Sequence, residues 1–309
     1  MSNKKIIIRL KGGLGNQLFI YAFGYSLAKE NSYNLVLDYL SGFVRDYEYK
    51  RFYLLDNFQL TGNLASKKEM LFPFERAKRG LLKFHNFFLS NNKKYYLTDK
   101  DYNENRNINF SYKKIYLDGL WQNKNYFSKF SKEILKEFRI KDHISQNFQR
   151  SSYYHKIIND PESVFLHLRD FNNGSEKLDE NININYYLKA INIVKSKIKN
   201  PKFYIFCENP NYSKNFFNNH IINTDGIDIN YVIENDFQKD PLFDFWLMQN
   251  CKNSIIANST FSWWAAWLGN IKHSGIVIYP NEDLNKKING LNISTYMTNK
   301  NWYPISLNK

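Results

Sequence analysis

The segment Asn258-Ser259-Thr260-Phe261-Ser262-Trp263-Trp264 follows the apolar run Ser254-Ile255-Ile256-Ala257 and opens a helical pattern that the sequence carries to Gly269. A small polar turn between a buried strand and a helix start presents hydroxyls and free backbone N–H groups at the positive end of the helix dipole, which suits a phosphate. Asn258, Ser259, Thr260 and Ser262 are therefore candidate anion-binding residues. A second chemical locus is Val164-Phe165-Leu166-His167-Leu168-Arg169-Asp170, where the alternation of a strand places His167 and Arg169 on one face, within reach of one ligand. A third is Ile205-Phe206-Cys207-Glu208-Asn209, with the carboxylate of Glu208 at a strand tip, able to accept the N–H donors of a guanine edge or a sugar hydroxyl. Each has a plainer reading: a satisfied core histidine, a solvated loop acid, a simple N-cap. Their common position at strand ends favours a shared ligand.

The elements that must position these residues alternate. Residues 163–168, 203–206, 229–233, 254–257 and 276–279 are short apolar runs bounded by polar or turn residues and read as strands. Tyr187, Leu188, Ile191, Val194 and Ile198 recur at helical spacing, and Asp240-Pro241 is a helix start. Strands separated by helices predict a mostly parallel sheet covered on both faces, with ligands at the carboxyl ends of the strands.

The amino-terminal half opens the same way: a strand over residues 5–10, the glycine-rich loop Lys11-Gly12-Gly13-Leu14-Gly15-Asn16-Gln17, and a helix over 18–28. Gly13-Leu14-Gly15 begins like a dinucleotide fingerprint, but Leu18 stands at the third glycine position and no P-loop Lys-Ser/Thr follows. Gly13 and Gly15 still let backbone approach a ligand closely, and Asn16 and Gln17 add neutral hydrogen-bonding groups. Leu35-Val36-Leu37-Asp38 reads as a second strand with a carboxylate at its tip. The fold class expected is α/β and GT-B-like, with two Rossmann-type lobes of mostly parallel sheets and a cleft between them. The lobes are placed at 1–155 and 156–309, with the tail around Asn301-Trp302-Tyr303 packing back on the body.

Composition narrows the function. The apolar runs fall well short of the roughly 20 residues of a membrane span, and Met1-Ser2-Asn3-Lys4-Lys5 leads into a short strand rather than a secretory core, so a cytoplasmic location is expected. Cys207 and Cys251 form no C-x-x-C pair, which supports neither a disulfide framework nor a zinc site. The net charge of +14 accompanies an abundance of Lys, Asn, Ile and Tyr of the kind an AT-rich genome produces. No block of five basic residues occurs, which argues against a nucleic-acid stripe and leaves peripheral contact with an anionic inner-membrane surface open.

Four blocks carry a resemblance: Gly12-Gly13-Leu14-Gly15-Asn16-Gln17-Leu18-Phe19 with Tyr21-Ala22-Phe23-Gly24; Gly119-Leu120-Trp121-Gln122; His167-Leu168-Arg169; and residues 255–268 from Ile255 to Leu268. Over nearly the whole chain the sequence resembles bacterial alpha-1,2-fucosyltransferases of glycosyltransferase family 11. The resemblance implies a GT-B-like fold, GDP-fucose as donor substrate, no required metal or other cofactor, and inversion at the anomeric carbon. It implies a galactoside or lipid-linked glycan as acceptor, in the synthesis of a surface glycan such as O-antigen or capsule. By the same resemblance His167 and Glu208 help hold guanosine, Gly13, Gly15 and Gln17 lie on the donor side, Asn16 lies near the fucose and the reacting centre, and Trp121 and Gln122 line the acceptor side. Trp121 reads equally as a core aromatic. Arg169 is then the natural counter-charge for the departing diphosphate, since a guanidinium binds phosphate oxygens in pairs, and the Ser259-Thr260 turn adds donors to the same phosphates.

The chain departs from the family pattern His-x-Arg-Arg-Gly-Asp: Asp170 stands at the second Arg, Phe171 at the Gly and Asn172 at the Asp. The family's Ser-Asp-Asp is here Cys207-Glu208-Asn209. Asp38 and Asp170 are the candidates for a base that accepts the acceptor proton. Competing readings are a non-catalytic nucleotide-sugar or glycan binder, a glycosyltransferase with another donor, and a metal-dependent enzyme using Asp99-Lys100-Asp101.

Overall fold

The computed structural model describes residues 4–90, 93–104, 110–169, 182, 184–207, 228–232, 240–281, 298–299 and 301–307. The chain divides into two compact units, Met1–Lys141 and Asp142–Lys309.

The first unit contains β1 (Lys5–Arg9), α1 (Leu14–Glu30), β2 (Asn34–Asp38), β3 (Asn63–Leu64), α2 (Glu75–Phe87), β4 (Tyr96–Leu97), α3 (Asp99–Glu104), β5 (Lys114–Leu117) and α4 (Ser131–Glu137). Its sheet has the order β3-β2-β1-β5-β4, and every pairing is parallel. Helix α1 starts at Leu14, not at Leu18, with Gly13 as its N-cap, so Gly15, Asn16 and Gln17 form its first turn. The helix is buried almost all round because it lies directly on β1. A Cβ on Gly24 would come within 2.5 Å of the Ile8 side chain, so only glycine permits that approach.

The second unit contains α5 (Asp142–Phe148), α6 (Ser152–Ile158), β6 (Ser163–Leu168), α7 (Ile184–Lys197), β7 (Lys202–Cys207), β8 (Asp228–Tyr231), α8 (Pro241–Asn250), β9 (Asn253–Ile255), α9 (Thr260–His273), β10 (Val277–Asn281) and β11 (Trp302–Ser306). The order is β11-β10-β9-β6-β7-β8, again all parallel. The five strands expected from the apolar runs are present, and the polar stretch placed before the expected break at 155 forms α5 and α6 of this unit. One face of β6 packs Val164, Leu166 and Leu168 against Tyr186, Tyr187, Ala190 and Ile191 of α7. Asp240 caps α8 by accepting from the amides of Leu242 and Phe243 at 3.1 and 3.3 Å.

Helix α9 does not stop at Gly269. It continues to His273 and is closed by Ser274 in the left-handed conformation. Gly269 serves another purpose: a Cβ there would sit 3.1 Å from the Gln249 carbonyl, so the glycine lets α9 lie close against α8. The tail joins the sheet as β11, where the Trp302 indole donates to Asn270 Oδ1 at 3.3 Å and its ring lies 6.1 Å from that of Trp263.

Each sheet has a point where strand order reverses, at β1/β5 in the first and at β6/β9 in the second. In open parallel sheets ligands bind outside the carboxyl ends of the strands at such points. Among the described residues no helix is long and apolar enough to cross a membrane.

Candidate active site

At the β1/β5 reversal the glycine-rich loop is held by its own side chains. Gln17 is fully buried. Its Nε2 donates to the carbonyls of Gly12 and Phe52, both at 2.9 Å, and its Oε1 accepts from the Leu54 amide at 2.9 Å. Both amide hydrogens are spent inside the protein, so this side chain shapes the loop instead of reaching a donor. Gly12 adopts φ +74° with Asn16 packed against it, a conformation that favours glycine. Asn16 is half-buried, and its Oδ1 accepts from Gln122 Nε2 at 2.8 Å. That bond ties the first turn of α1 to the loop after β5. Gly13 and Gly15 lie in the same turn, Gly15 buried and Gly13 beside the Arg51 guanidinium.

Trp121 does not line an acceptor surface. It is completely buried, its ring stacks on Phe23 at 4.2 Å, and Tyr102 meets it edge-on at 5.8 Å. The acidic pair at 99 and 101 is also committed to structure. Asp99 accepts from the amides of Leu120 and Trp121 at 2.9 and 2.8 Å, and Asp101 accepts from Thr98 and Lys94. Carboxylates so engaged leave Asp99-Lys100-Asp101 poorly suited to a cation. Asp38, a candidate base, is wholly buried and accepts from the amides of Ser41 and Leu71, both at 3.0 Å, and from the Tyr116 hydroxyl. With its oxygens committed and no exposed surface, it cannot take a proton from an incoming hydroxyl.

The sequence reading missed a charge cluster at the same reversal. Asp118, just past β5, accepts from Arg9 at 3.1 Å, Lys11 at 2.9 Å, Arg79 at 2.8 Å and the Tyr96 hydroxyl. Burial opposes ionisation of this carboxyl, but Lys11, Arg9 and the Tyr96 bond outweigh it and hold the group well below the usual carboxylate range. Three cations around one aspartate leave this strand end with a positive excess. The one signal in the sequence was an arginine at the tip of an otherwise apolar strand.

At the β6/β9 reversal, Leu166 pairs with Ile255, so Arg169 and Asn258 each lie three residues beyond the pair on adjacent strands. His167 is 1 % exposed, with its ring beside Phe261 at 5.9 Å. Burial, and secondarily the Arg169 charge, push its pKa down to about 3, so the ring is neutral. Its Nδ1 has no hydrogen-bond partner among the described residues, a rare state for a buried polar atom and one that a ligand group would relieve. The backbone around it is fixed by α7: Tyr187 donates to the His167 carbonyl at 3.3 Å and Tyr186 to the Ile256 carbonyl at 2.6 Å.

Arg169 is half-buried at the end of β6. Ser259 is the N-cap of α9, its Oγ accepting from the Phe261 amide at 3.3 Å, and Thr260 follows as the first helical residue, both half-buried. Asn258 is buried beside them. Ser262 differs from its expected role: it is fully buried, and its hydroxyl lies 3.4 Å from both the Ala257 and Ser259 carbonyls, so it braces the turn from inside. Asp170 and Glu208 lie outside the described residues.

The family model described as Glycosyl transferase family 11 matches residues 5–304. An alpha-1,2-colitosyltransferase from Escherichia coli is 34% identical over 282 residues, covering 89% of this chain and 91% of its own. The O-antigen biosynthesis glycosyltransferase WbnK, also from Escherichia coli, is 29% identical, covering 88% and 92%. Among solved structures, Arabidopsis thaliana FUT1 in complex with GDP aligns at TM-score 0.56 and 13% identity over 91% of this chain and 71% of that one. The fucosyltransferase NodZ from Bradyrhizobium aligns at 0.53 and 14% over 86% and 92%. These likenesses identify the two parallel α/β units as a GT-B-like fold.

Proposed function

This chain belongs to glycosyltransferase family 11, and from that premise we propose that it transfers L-fucose from GDP-fucose to the 2-hydroxyl of a galactoside, with inversion and without a metal, in the synthesis of a bacterial O-antigen or related surface glycan. The observation that carries the proposal is the pairing of β6 with β9, which brings Arg169 and the Asn258-Ser259-Thr260 turn to neighbouring strand ends beside His167, whose Nδ1 has no partner among the described residues. A fixed cation and a helix N-terminus form a diphosphate site, and a neutral imidazole suits a nucleoside partner. Solved relatives of the same fold are recorded with GDP and, for NodZ, soaked with GDP-fucose, which supports a guanosine diphosphate sugar as donor.

In this reading the bond between the sugar C1 and the diphosphate oxygen breaks and its electron pair passes to the β-phosphate. The acceptor oxygen forms the new bond at C1 and gives up its proton. Arg169 and the Ser259-Thr260 turn stabilise the charge that grows on the leaving group, the task a metal performs elsewhere. With Asp38 sealed in the core and Asp118 held by cations, neither is available to the acceptor proton, and Asp170 remains the candidate for that role. The pair Asn16 and Gln122 provides neutral hydrogen bonds for sugar hydroxyls.

A second donor has a specific observation in its favour: the Escherichia coli relative at 34% identity is named for colitose, a fucose lacking the 3-hydroxyl. The experiment that separates the readings is a titration with GDP-fucose, GDP-colitose, GDP-mannose and UDP-galactose in the presence of chelator, followed by GDP release with galactoside acceptors. Fucosyl transfer predicts selective GDP-fucose binding and acceptor-stimulated GDP release. A preference for GDP-colitose replaces the donor and keeps the chemistry. Binding without turnover across the acceptor panel defeats the enzyme assignment.

A further inference from the structure

Helix α2 covers the first sheet in an unusual way. The surface it covers is apolar, formed by Ile7, Val36 and Tyr116 of the sheet with Met70 and Leu71 of the segment after β3, and Leu82 is the apolar side chain of the helix that packs against that cluster. The helix leaves a cavity of about 630 Å3 beneath it. Its larger apolar side chains stand on the open rim of that cavity: Leu81, Phe84 and Phe88 also line it, and with Phe87 they are 69, 66, 69 and 82 % exposed. The spacing of Ala77, Leu81, Phe84 and Phe88 is that of one helical stripe, and Phe88 meets Phe84 and Phe87 edge-on at 5.1 and 5.4 Å. An apolar ridge of this kind on a protein surface marks an interaction site.

The charge around the ridge is one-sided. Arg76 and Lys83 flank it on α2, while Lys68 and Lys114 stand exposed along the cavity side. The two acids nearby are already neutralised, Glu75 by Arg45 at 3.0 Å and Glu69 by Lys5 at 2.6 Å. Exposed aromatic side chains between two cationic margins match an interfacial bilayer, with rings in the acyl boundary and ammonium groups among anionic headgroups. An acidic protein partner would offer charge alone, and a second copy of this chain would bring the same cations into repulsion.

We propose that α2 is a membrane-docking element: the Leu81, Phe84, Phe87 and Phe88 ridge inserts into the surface of a bilayer containing anionic lipid, with the surrounding lysines and arginine on its headgroups. The inference is independent of the donor identity, since it concerns a surface remote in sequence from the residues assigned to the donor.

The test is sedimentation of the full chain with vesicles of phosphatidylcholine alone and of phosphatidylcholine mixed with phosphatidylglycerol. Partition into the anionic vesicles is expected, weakening as salt is raised. The variant Phe84→Ser/Phe87→Ser/Phe88→Ser should bind at least about tenfold more weakly, and Arg76→Glu/Lys83→Glu should lose the preference for phosphatidylglycerol. Because all five side chains are exposed, unchanged thermal melting identifies variants that remain folded, and a blue shift of Phe87→Trp fluorescence on the same vesicles reports insertion without removing the ridge. No partition of the wild-type chain, equal partition of the aromatic variant, or ridge-dependent self-association in sedimentation velocity would overturn the proposal.

Discussion

Gln122 donates to Asn16 across 2.8 Å, joining two segments that lie 106 residues apart in sequence and flank the strand-order reversal of the first sheet. The bond couples the glycine-rich turn to the loop after β5, so the two residues act as one unit. Removing either amide should disturb the other's position. Gln122→Ala and Asn16→Ala are expected to lower kcat/KM by similar factors, and the double variant to cost less than their sum by about 0.5–3 kcal/mol. Additive losses measured by acceptor-dependent GDP release would refute the coupling.

Arg169 is assigned the charge of the departing diphosphate. Arg169→Ala should reduce kcat/KM by roughly ten- to a hundredfold, the value of hydrogen bonds to a charged group. Arg169→Lys should restore little, because a point ammonium does not replace a planar fork on phosphate oxygens. Full activity of the lysine variant would show that only bulk charge matters there.

His167 gives the fold a pH dependence of known sign. Its ring is neutral when folded, with a pKa of about 3 against an ordinary 6.5, chiefly because burial penalises the charged form. The unfolded chain therefore binds a proton that the folded chain does not, and stability is full above pH 6.5 and falls as the pH drops toward 3. The slope contributed is about 1.4 kcal/mol per pH unit within that window. Urea unfolding at stepped pH should show a shallower slope for His167→Gln than for wild type; identical slopes would remove the histidine from the account.

How far the sequence was legible depended on what each residue type can reveal alone. The parallel strands stood out because a strand covered on both faces reads as a continuous apolar run, as from Val164 to Leu168. The His167, Arg169 and Ser259 positions followed from those strands, since strand tips in such sheets are where ligands bind. Partners brought by long-range pairing were invisible. Arg9 meets Asp118 only because β1 lies beside β5, 109 residues away, and Asp38 looked like a free carboxylate because its donors at Leu71 and Tyr116 come from distant segments. Gly269 read as a helix terminator although its work is to admit the backbone of α8.

Asp99 offers a test of metal independence that concerns folding. If its carboxylate serves the backbone of the 120–121 loop, Asp99→Ala should lower the thermal midpoint and weaken activity equally with or without chelator. Chelator-sensitive activity in the wild type, lost in Asp99→Ala, would instead give the residue to a cation.

Trp121→Ala should destabilise the protein by about 3–5 kcal/mol, the cost of emptying a large buried site. Trp121→Phe should retain most of the stability and leave the KM for acceptor nearly unchanged. A selective rise in acceptor KM with an unaltered melting curve would return the side chain to the substrate.

The backbone at Trp121 sits at φ +55°, in the left-handed region that a bulky residue normally avoids. It stays there because Asp99 grips the two amides and Phe23 holds the ring. A loop fastened at both its backbone and its side chain has little freedom left to surrender when a ligand arrives. Gln122, the next residue, is thus held in one orientation before any ligand binds, and the entropy of arranging it is met during folding rather than on binding.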